Sequence, residues 1–190
     1  MIRASRAFGL VVLAATSLLC ACATPPRPAE RESLPARPLA PPDAVGQRAV
    51  SQVVRGAFGA REITLSCVVS VQDGVMSVVG LNAMGVRLFK LSYDGQAMHS
   101  EKGFGTPDAI TPDRLLADLQ LVFWPMASLQ ETLRRAGYEV SEPAAGTRRL
   151  RRGDRLVAEV HFSDADAWSG RAWLVNLEFG YTLQIDSRAP

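Results

Sequence analysis

Two cysteines near the N-terminus carry the most specific chemical signal in the sequence. Cys20 and Cys22 follow two arginines and an apolar run of about 12 residues, which is typical of a secretory signal and too short for a membrane span of ~20 residues. The residues directly before Cys22 are Leu, Cys and Ala, the pattern at which bacterial lipoprotein signals are cut, whereas the Leu before Cys20 is too large for that position. We therefore predict that residues 1–21 are a signal peptide and that Cys22 is the lipid attachment site. The alternative is an ordinary secretory signal cut after Ala23.

Acylation of Cys22 would also determine where the protein is located. Two or three acyl chains such as palmitate anchor a protein stably, because each buried methylene contributes ~0.8 kcal/mol. Ala23 follows the predicted lipidated cysteine, whereas an aspartate at that position favours retention in the inner membrane. We therefore expect a lipoprotein anchored to the outer membrane and facing the periplasm.

The remaining reactive residues do not form a recognisable catalytic set. Cys67 would be the only thiol of the processed chain, and its place in an alternating apolar pattern favours a buried core residue over a nucleophile. His99 and His161 are far apart in sequence, and His161 is expected at a surface or cavity rim. The sequence lacks a G-x-S-x-G elbow, a phosphate-binding Walker loop and an H-E-x-x-H motif. We predict no catalytic residues, no metal site, no cofactor and no enzymatic activity.

Two charged clusters have a simple interpretation and a functional one. Asp164 and Asp166 resemble an acid–base pair or a cation loop, but a calcium loop needs more oxygen ligands, so a solvated loop is expected. A group of arginines lies in a predicted hairpin, where a solvated turn is the simpler interpretation. The guanidinium fork also matches phosphate geometry, which makes these arginines candidates for contact with lipid headgroups. The four candidates are Arg148, Arg149, Arg151 and Arg152.

Composition limits the class of protein. The 190 residues are 47% apolar and 21% charged, as in an ordinary globular chain. Two of the 21 basic residues lie in the predicted signal, so the remainder has 19 basic and 19 acidic side chains. A net charge of zero argues against a nucleic-acid-binding protein.

The chain divides into a tether and one domain. Residues 22–44 contain seven of the 12 prolines and no apolar period, so we predict a Pro-rich tether that extends ~3.1 Å per residue. Residues 45–190 are predicted to form a single domain.

The domain sequence is mainly β with two helices in the middle. Period-2 alternation and turn dipeptides such as Asp73-Gly74 predict about nine antiparallel strands. A helix is predicted from Thr111 to Trp124 and a second from Met126 to Gly137, separated by Pro125. In the last strands, alternation predicts that Trp173, Val175, Leu177 and Phe179 share one face. The expected fold is α+β: a curved antiparallel half-barrel around a two-helix insert.

Two segments carry a resemblance to known proteins. The stretch NAMGVRLFKLSYDG (Asn82 to Gly95) and the helix sequence DLQLVFWP (Asp118 to Pro125), together with the predicted lipidation site, resemble an uncharacterised family of proteobacterial lipoproteins associated with aryl-polyene biosynthesis clusters. The same layout is similar to the lipoprotein carriers LolA and LolB. Their half-barrel with a helical lid holds acyl chains, so the resemblance implies a LolB-like fold with an apolar cavity.

This resemblance and the predicted lipidation lead to one functional hypothesis and one alternative. The hypothesis is a lipoprotein that binds a lipid or other hydrophobic ligand, such as an aryl-polyene lipid or an acylated protein, receives it from a periplasmic carrier and assists its delivery to the outer membrane. The alternative is a non-catalytic envelope assembly module that docks a protein partner. The candidates for cavity-lining or lid residues are Met84, Phe123, Trp124 and Met126.

Overall fold

The computed structural model describes residues 37–106 and 111–188, so the predicted signal peptide and Cys22 lie outside the described residues. Within these ranges no helix is long and apolar enough to cross a membrane. The strands are β1 (Arg48–Phe58), β2 (Arg61–Gln72), β3 (Val75–Leu81), β4 (Arg87–Tyr93), β5 (Met98–Lys102), β6 (Tyr138–Ala144), β7 (Thr147–Arg152), β8 (Arg155–Phe162), β9 (Gly170–Asn176) and β10 (Tyr181–Arg188). The helices are α1 (Pro112–Phe123) and α2 (Met126–Arg134), and a short 3₁₀ turn covers Pro42–Val45.

All ten strands form one antiparallel sheet. Its order is β5-β4-β3-β2-β1-β10-β9-β8-β7-β6, so the first and last strands pair at the centre of the sheet. The edges are β5 and β6, and the chain between them forms the two helices. This topology confirms the predicted curved, mainly β fold with a central two-helix insert, and it has ten strands instead of about nine.

Helix α1 lies in the hydrophobic core enclosed by the curved sheet. Eight consecutive residues, Leu116–Phe123, are buried, which means that the helix is covered on all sides. The covering surface comes from alternate residues of the strands. In β2, for example, Leu65, Cys67, Val69 and Val71 are buried while their neighbours are more exposed. Helix α2 instead packs beside β6 and buries Leu129 and Leu133.

Strand β9 is shorter than the sequence predicted. It ends at Asn176 because the Oδ1 atom of Asn176 accepts a 3.1 Å hydrogen bond from the Phe179 N–H, and its carbonyl accepts one of 2.9 Å from Gly180. The prediction that Phe179 continues the strand face of Trp173 is therefore wrong. The inward-facing residues of β9 include Leu174 and Asn176, so the side chain of Trp173 lies on the outer face, 38% exposed.

Part of the predicted tether is packed against the domain. Residues 37–44, which we call the strap, run along α1, and Arg37, Ala40 and Pro42 are buried. The packing of the domain therefore begins earlier than the sequence boundary at residue 45. Proline content and lack of periodicity gave no sign of this contact, because most of the hydrogen bonds that hold the strap involve its backbone.

Candidate functional site

An apolar cleft lies between the inner face of the sheet and the N-terminal half of α1. Its volume is about 50 Å³, and it is partly open to solvent. The walls are almost entirely apolar, and the polar groups belong to Thr111, to α1 and to Tyr181 at the start of β10. The lining residues are Val54, Phe58, Ile63, Leu65, Cys67, Phe89, Thr111, Arg114, Leu115, Asp118, Tyr181 and Leu183.

Glycines in the strands leave room for the aromatic walls of this cleft. Gly56 faces inward in β1, and a Cβ at that position would lie 2.6 Å from the Phe58 ring. Gly80 pairs with Phe89 across β3 and β4, and a Cβ there would overlap the Phe89 ring. Both rings therefore rest over glycines, where a side chain would push them into the cleft.

A buried polar cluster forms one side of the cleft. Asp118 of α1 accepts hydrogen bonds from the Arg37 guanidinium, the Tyr181 hydroxyl and the Asn176 amide, and it forms an ion pair with Arg37. Burial raises the pKa of Tyr181, and the charge of Asp118 raises it further. Because buried charges are unfavourable without partners, this set of contacts compensates both the carboxylate and the guanidinium.

Cys67 lies in the cleft wall and not in a catalytic arrangement. It is buried, and burial raises its pKa to about 12. The thiolate is the reactive form of cysteine, so this thiol is inert at neutral pH. The prediction of a buried core cysteine is confirmed.

The strap is attached to the helix that covers the cleft. The Gln120 side chain accepts a hydrogen bond from the Ala40 N–H (2.7 Å) and donates one to the Ala40 carbonyl (2.8 Å). The indole N–H of Trp124 donates to the Pro41 carbonyl at 3.0 Å. Arg37 adds the ion pair to Asp118. The position of α1 is therefore coupled to the segment that leads toward the N-terminus.

The four residues predicted to line the cavity lie elsewhere. Phe123 and Trp124 are buried core residues that contact Trp168, and Met126 is half-buried against the core. Met84 is 83% exposed in the turn between β3 and β4. The prediction used the helix break at the C-terminal end of α1, whereas the cleft lies at the N-terminal end of that helix.

The four candidate arginines do not share one surface. Arg148 is buried and donates to the carbonyls of Leu121 (2.8 Å) and Trp124 (2.9 Å), so it caps the C-terminal end of α1. That role corrects the headgroup prediction for Arg148, because its guanidinium is occupied inside the domain. Arg149 and Arg151 are half-buried, and Arg152 is exposed.

Two of those arginines have partners within the β7–β8 hairpin, and the third contacts the neighbouring strand β6. Arg149 pairs with Glu159, Arg151 donates to the Asp154 carbonyl at 2.8 Å, and Arg152 lies over the Tyr138 ring at 5.3 Å. Alternation along β7 separates them, since Arg149 and Arg151 face away from the side that holds Leu150.

The other charged candidates are solvent-facing. His161 lies 2.7 Å from a Glu159 oxygen on the outer face, and Asp166 accepts a hydrogen bond from the Trp168 N–H within its own loop. Within residues 37–106 and 111–188, no three His, Cys, Asp or Glu side chains are placed to hold a metal ion. The solvated-loop interpretation agrees with this arrangement.

Comparison with known proteins gives a family. Residues 49–189 match the family described as "Protein of unknown function (DUF3261)". The chain belongs to this family. The DUF3261 match covers both helices and all ten strands except Arg48, the first residue of β1, so every residue that lines the cleft lies within the family region.

Other comparisons of the DUF3261 chain are distant. It is similar to the crystal structure of a DUF1329 family protein from Desulfovibrio piger, with 12% identity and a TM-score of 0.36, covering 77% of this chain and 85% of that one. No curated protein matches the sequence.

Proposed function

We propose that this domain binds the hydrocarbon chain of a lipid or another hydrophobic ligand in the cleft beneath α1, and that it assists delivery of that ligand to the outer membrane. The observation that carries the proposal is the cleft itself: an apolar space, partly open to solvent, between a curved sheet and a helix. Apolar surfaces that leave water gain ~25 cal/mol per Å², so such a cleft favours a hydrocarbon chain.

The cleft must widen to hold a long chain. Its volume of about 50 Å³ is small beside the ~300 Å³ at the lower end of ligand pockets, so it takes only a few methylenes as it stands. Phe58 provides a route, because its ring is half-buried at the end of β1 and rests over Gly56. Rotation of this ring toward solvent would lengthen the cleft without moving the sheet.

Delivery to the outer membrane follows from the predicted lipid anchor at Cys22. The strap begins with Arg37 beside Asp118, which lines the cleft. The 14 residues between Cys22 and Arg37 would span up to ~43 Å at ~3.1 Å per residue. A ligand would pass from a periplasmic carrier to this domain by differential affinity. The resemblance to lipoproteins of aryl-polyene clusters suggests an aryl-polyene lipid as one client.

Native mass spectrometry with organic extraction tests this proposal. The chain from Ala23 onward, which includes the whole compact unit Pro35–Pro190, is secreted to the periplasm and purified without detergent. Ile63→Trp fills the cleft, and Val68→Trp adds the same side chain on the outer face of β2 as a control.

We expect a co-purifying lipid, polyene or acyl chain in the parent and in Val68→Trp, and its loss in Ile63→Trp. A parent protein that is free of ligand and also rejects added fatty acids would overturn the proposal. Equal ligand content in both tryptophan variants would exclude the cleft as the binding site.

One observation favours the alternative, a module that docks a protein partner. Large apolar side chains are exposed near one end of the sheet: Met84 and Val86 in the β3–β4 turn, and Phe104 in a loop whose Gly103 N–H bonds to the Leu88 carbonyl. Exposed apolar patches mark interaction sites. Under this alternative, Met84→Ser with Phe104→Ser would abolish partner capture in cross-linking while the ligand content stays unchanged.

A further inference from the structure

We infer that the ligand of this cleft is an anionic amphiphile, whose hydrocarbon chain lies between α1 and the sheet and whose carboxylate or phosphate headgroup binds Arg114. This inference rests on the proposed function and names the chemical class of its ligand. It is carried by three features at the N-terminal end of α1: a cation without an ion pair and a hydroxyl without a hydrogen-bond partner among the described residues, and helix N–H groups without an acceptor inside the helix.

Arg114 supplies the cation. Its side chain lines the cleft, and its guanidinium lies 3.6 Å from the centre of the Phe179 ring. Within the described ranges Arg114 forms no ion pair. This holds for its sequence neighbour Asp113 and for Glu178, which precedes Phe179. The aromatic ring holds the guanidinium in place without neutralising its charge.

The acidic residue of the cleft does not cancel this charge. Asp118 is also in the cleft wall, but its carboxylate is already paired with Arg37 and bonded to Tyr181 and Asn176. Counting Arg37, Asp118 and Arg114 together, one positive charge remains at the cleft. An anionic headgroup would balance it, whereas a cationic headgroup would be repelled.

Thr111 supplies the hydroxyl. Its Oγ1 atom is buried and has no hydrogen-bond partner in the described part of the chain, and Thr111 lines the cleft. This threonine precedes α1 but its side chain does not cap the helix. A buried hydroxyl without a partner is costly, so a ligand oxygen at this position would satisfy it.

The helix itself favours an anion at the same place. The first intrahelical hydrogen bond of α1 runs from the Leu115 N–H to the Thr111 carbonyl, so the N–H groups of Asp113 and Arg114 have no acceptor within the helix. The N-terminus of a helix carries partial positive charge and attracts anions. The apolar walls would hold the chain, and this end would hold the headgroup.

Binding of four dodecyl probes by the chain from Ala23 onward tests this inference. The probes are dodecanoate, dodecyl phosphate, dodecanol and dodecyltrimethylammonium, each measured below its micelle concentration by isothermal calorimetry. The variants are Arg114→Gln, Arg114→Lys, which keeps the charge, and Arg134→Gln, which removes an exposed arginine at the end of α2. Thermal unfolding of each variant checks that the fold is retained.

We expect an anionic probe to bind about tenfold more tightly than dodecanol, and Arg114→Gln to remove that difference. Arg114→Lys would restore most of it, and Arg134→Gln would leave it unchanged. The relative affinities of dodecanoate and dodecyl phosphate tell whether the site prefers a carboxylate or a phosphate headgroup. If inorganic phosphate does not compete with these probes, the hydrocarbon chain is required for binding.

Two results would overturn the inference in distinguishable ways. If dodecanol and the anionic probes bind equally and Arg114→Gln changes none of them, the headgroup assignment is wrong while hydrophobic-ligand binding stands. If no probe binds to any variant, the proposed function itself fails, and the headgroup assignment fails with it.

Discussion

The Gln120 side chain binds both backbone groups of Ala40, with distances of 2.7 Å from the Ala40 N–H to Oε1 and 2.8 Å from Nε2 to the Ala40 carbonyl. The amide of the Gln120 side chain thus satisfies both the N–H and the carbonyl of Ala40, as the backbone of a neighbouring strand would, and it joins the strap to the central helix. Gln120 is buried inside the curved sheet, so the strap is a structural part of the domain.

Gln120→Ala should weaken the attachment of the strap. The substitution leaves the N–H and carbonyl of Ala40 without partners in a buried place, so we expect a loss of about 1–3 kcal/mol in the free energy of unfolding. Urea denaturation measures it, and Gln96→Ala, at an exposed turn residue, is the control and should change stability by less than about 0.5 kcal/mol. A Gln120→Ala protein as stable as the control would show that the strap contributes nothing.

The ion pair of Arg37 and Asp118 should show strong coupling. Arg37→Met leaves the Asp118 carboxylate buried without its cation, and the loss of one partner of such a pair costs about 3–5 kcal/mol. Adding Asp118→Asn removes the uncompensated charge, so the double variant should be more stable than Arg37→Met alone. Additive effects of the two substitutions in chemical denaturation would contradict a direct interaction.

Arg148 should be essential for stability, unlike a neighbouring arginine of the same hairpin. Arg148→Met keeps the apolar stem but leaves the carbonyls at the end of α1 without donors, so we expect a loss of about 3 kcal/mol. Arg155→Met removes an exposed arginine and should cost about 0.5 kcal/mol or less. If Arg148→Met instead impaired only binding to anionic vesicles at unchanged stability, the capping role would be wrong.

Acid stability should depend on Asp186 on the outer face of β10. The hydrogen bond from Arg171 holds the pKa of Asp186 below its ordinary value of 3.8, and Gln184 and Arg55 lower it further. A carboxyl with a lowered folded pKa stabilises the fold above pH 3.8 and loses that contribution as the pH falls through the folded pKa. The stability difference between the parent and Asp186→Asn should therefore be largest at neutral pH and shrink below about pH 4. A difference independent of pH would contradict this assignment.

Cys67 should resist alkylation until the domain unfolds. Its pKa of about 12 and its burial leave almost no accessible thiolate at pH 8. We expect iodoacetamide to label Cys67 only in denaturant, as measured by mass. The matched control carries Cys67→Ser with Ser66→Cys, which moves the thiol to the exposed face of β2 and should be labelled rapidly. Fast native labelling of Cys67 would show that the cleft opens readily.

Much of the fold was predictable because its elements follow simple periods. Period-2 alternation is visible in β2, where Leu65, Cys67, Val69 and Val71 are buried, and the two helices follow Thr111-Pro112 and Pro125 as predicted. The inward position of Arg148 was also available, since Leu150 two residues later on the same strand is apolar. The cluster of like charges in the sequence obscures this alternation, because four of the five residues from Arg148 to Arg152 are arginines.

The cleft could not be predicted from the sequence. Its walls are made of residues such as Val54, Leu65 and Leu183, which are typical of any core, and a cleft is the gap that remains where such residues do not meet. The gap depends on the curvature of the sheet and on where the Phe58 ring rests over Gly56. The strap was missed for a different reason, because backbone hydrogen bonds leave no pattern of side chains.

The most direct test of hydrophobic binding in the cleft is methyl NMR on the chain from Ala23 onward, titrated in parallel with decanoate and decanol below their micelle concentrations. We expect at least one of them to shift the methyl signals of Ile63, Leu65 and Leu183 in the cleft and to leave Leu133 on α2 unchanged. Shifts confined to outer-face residues such as Val68, or no shifts with either compound, would contradict it.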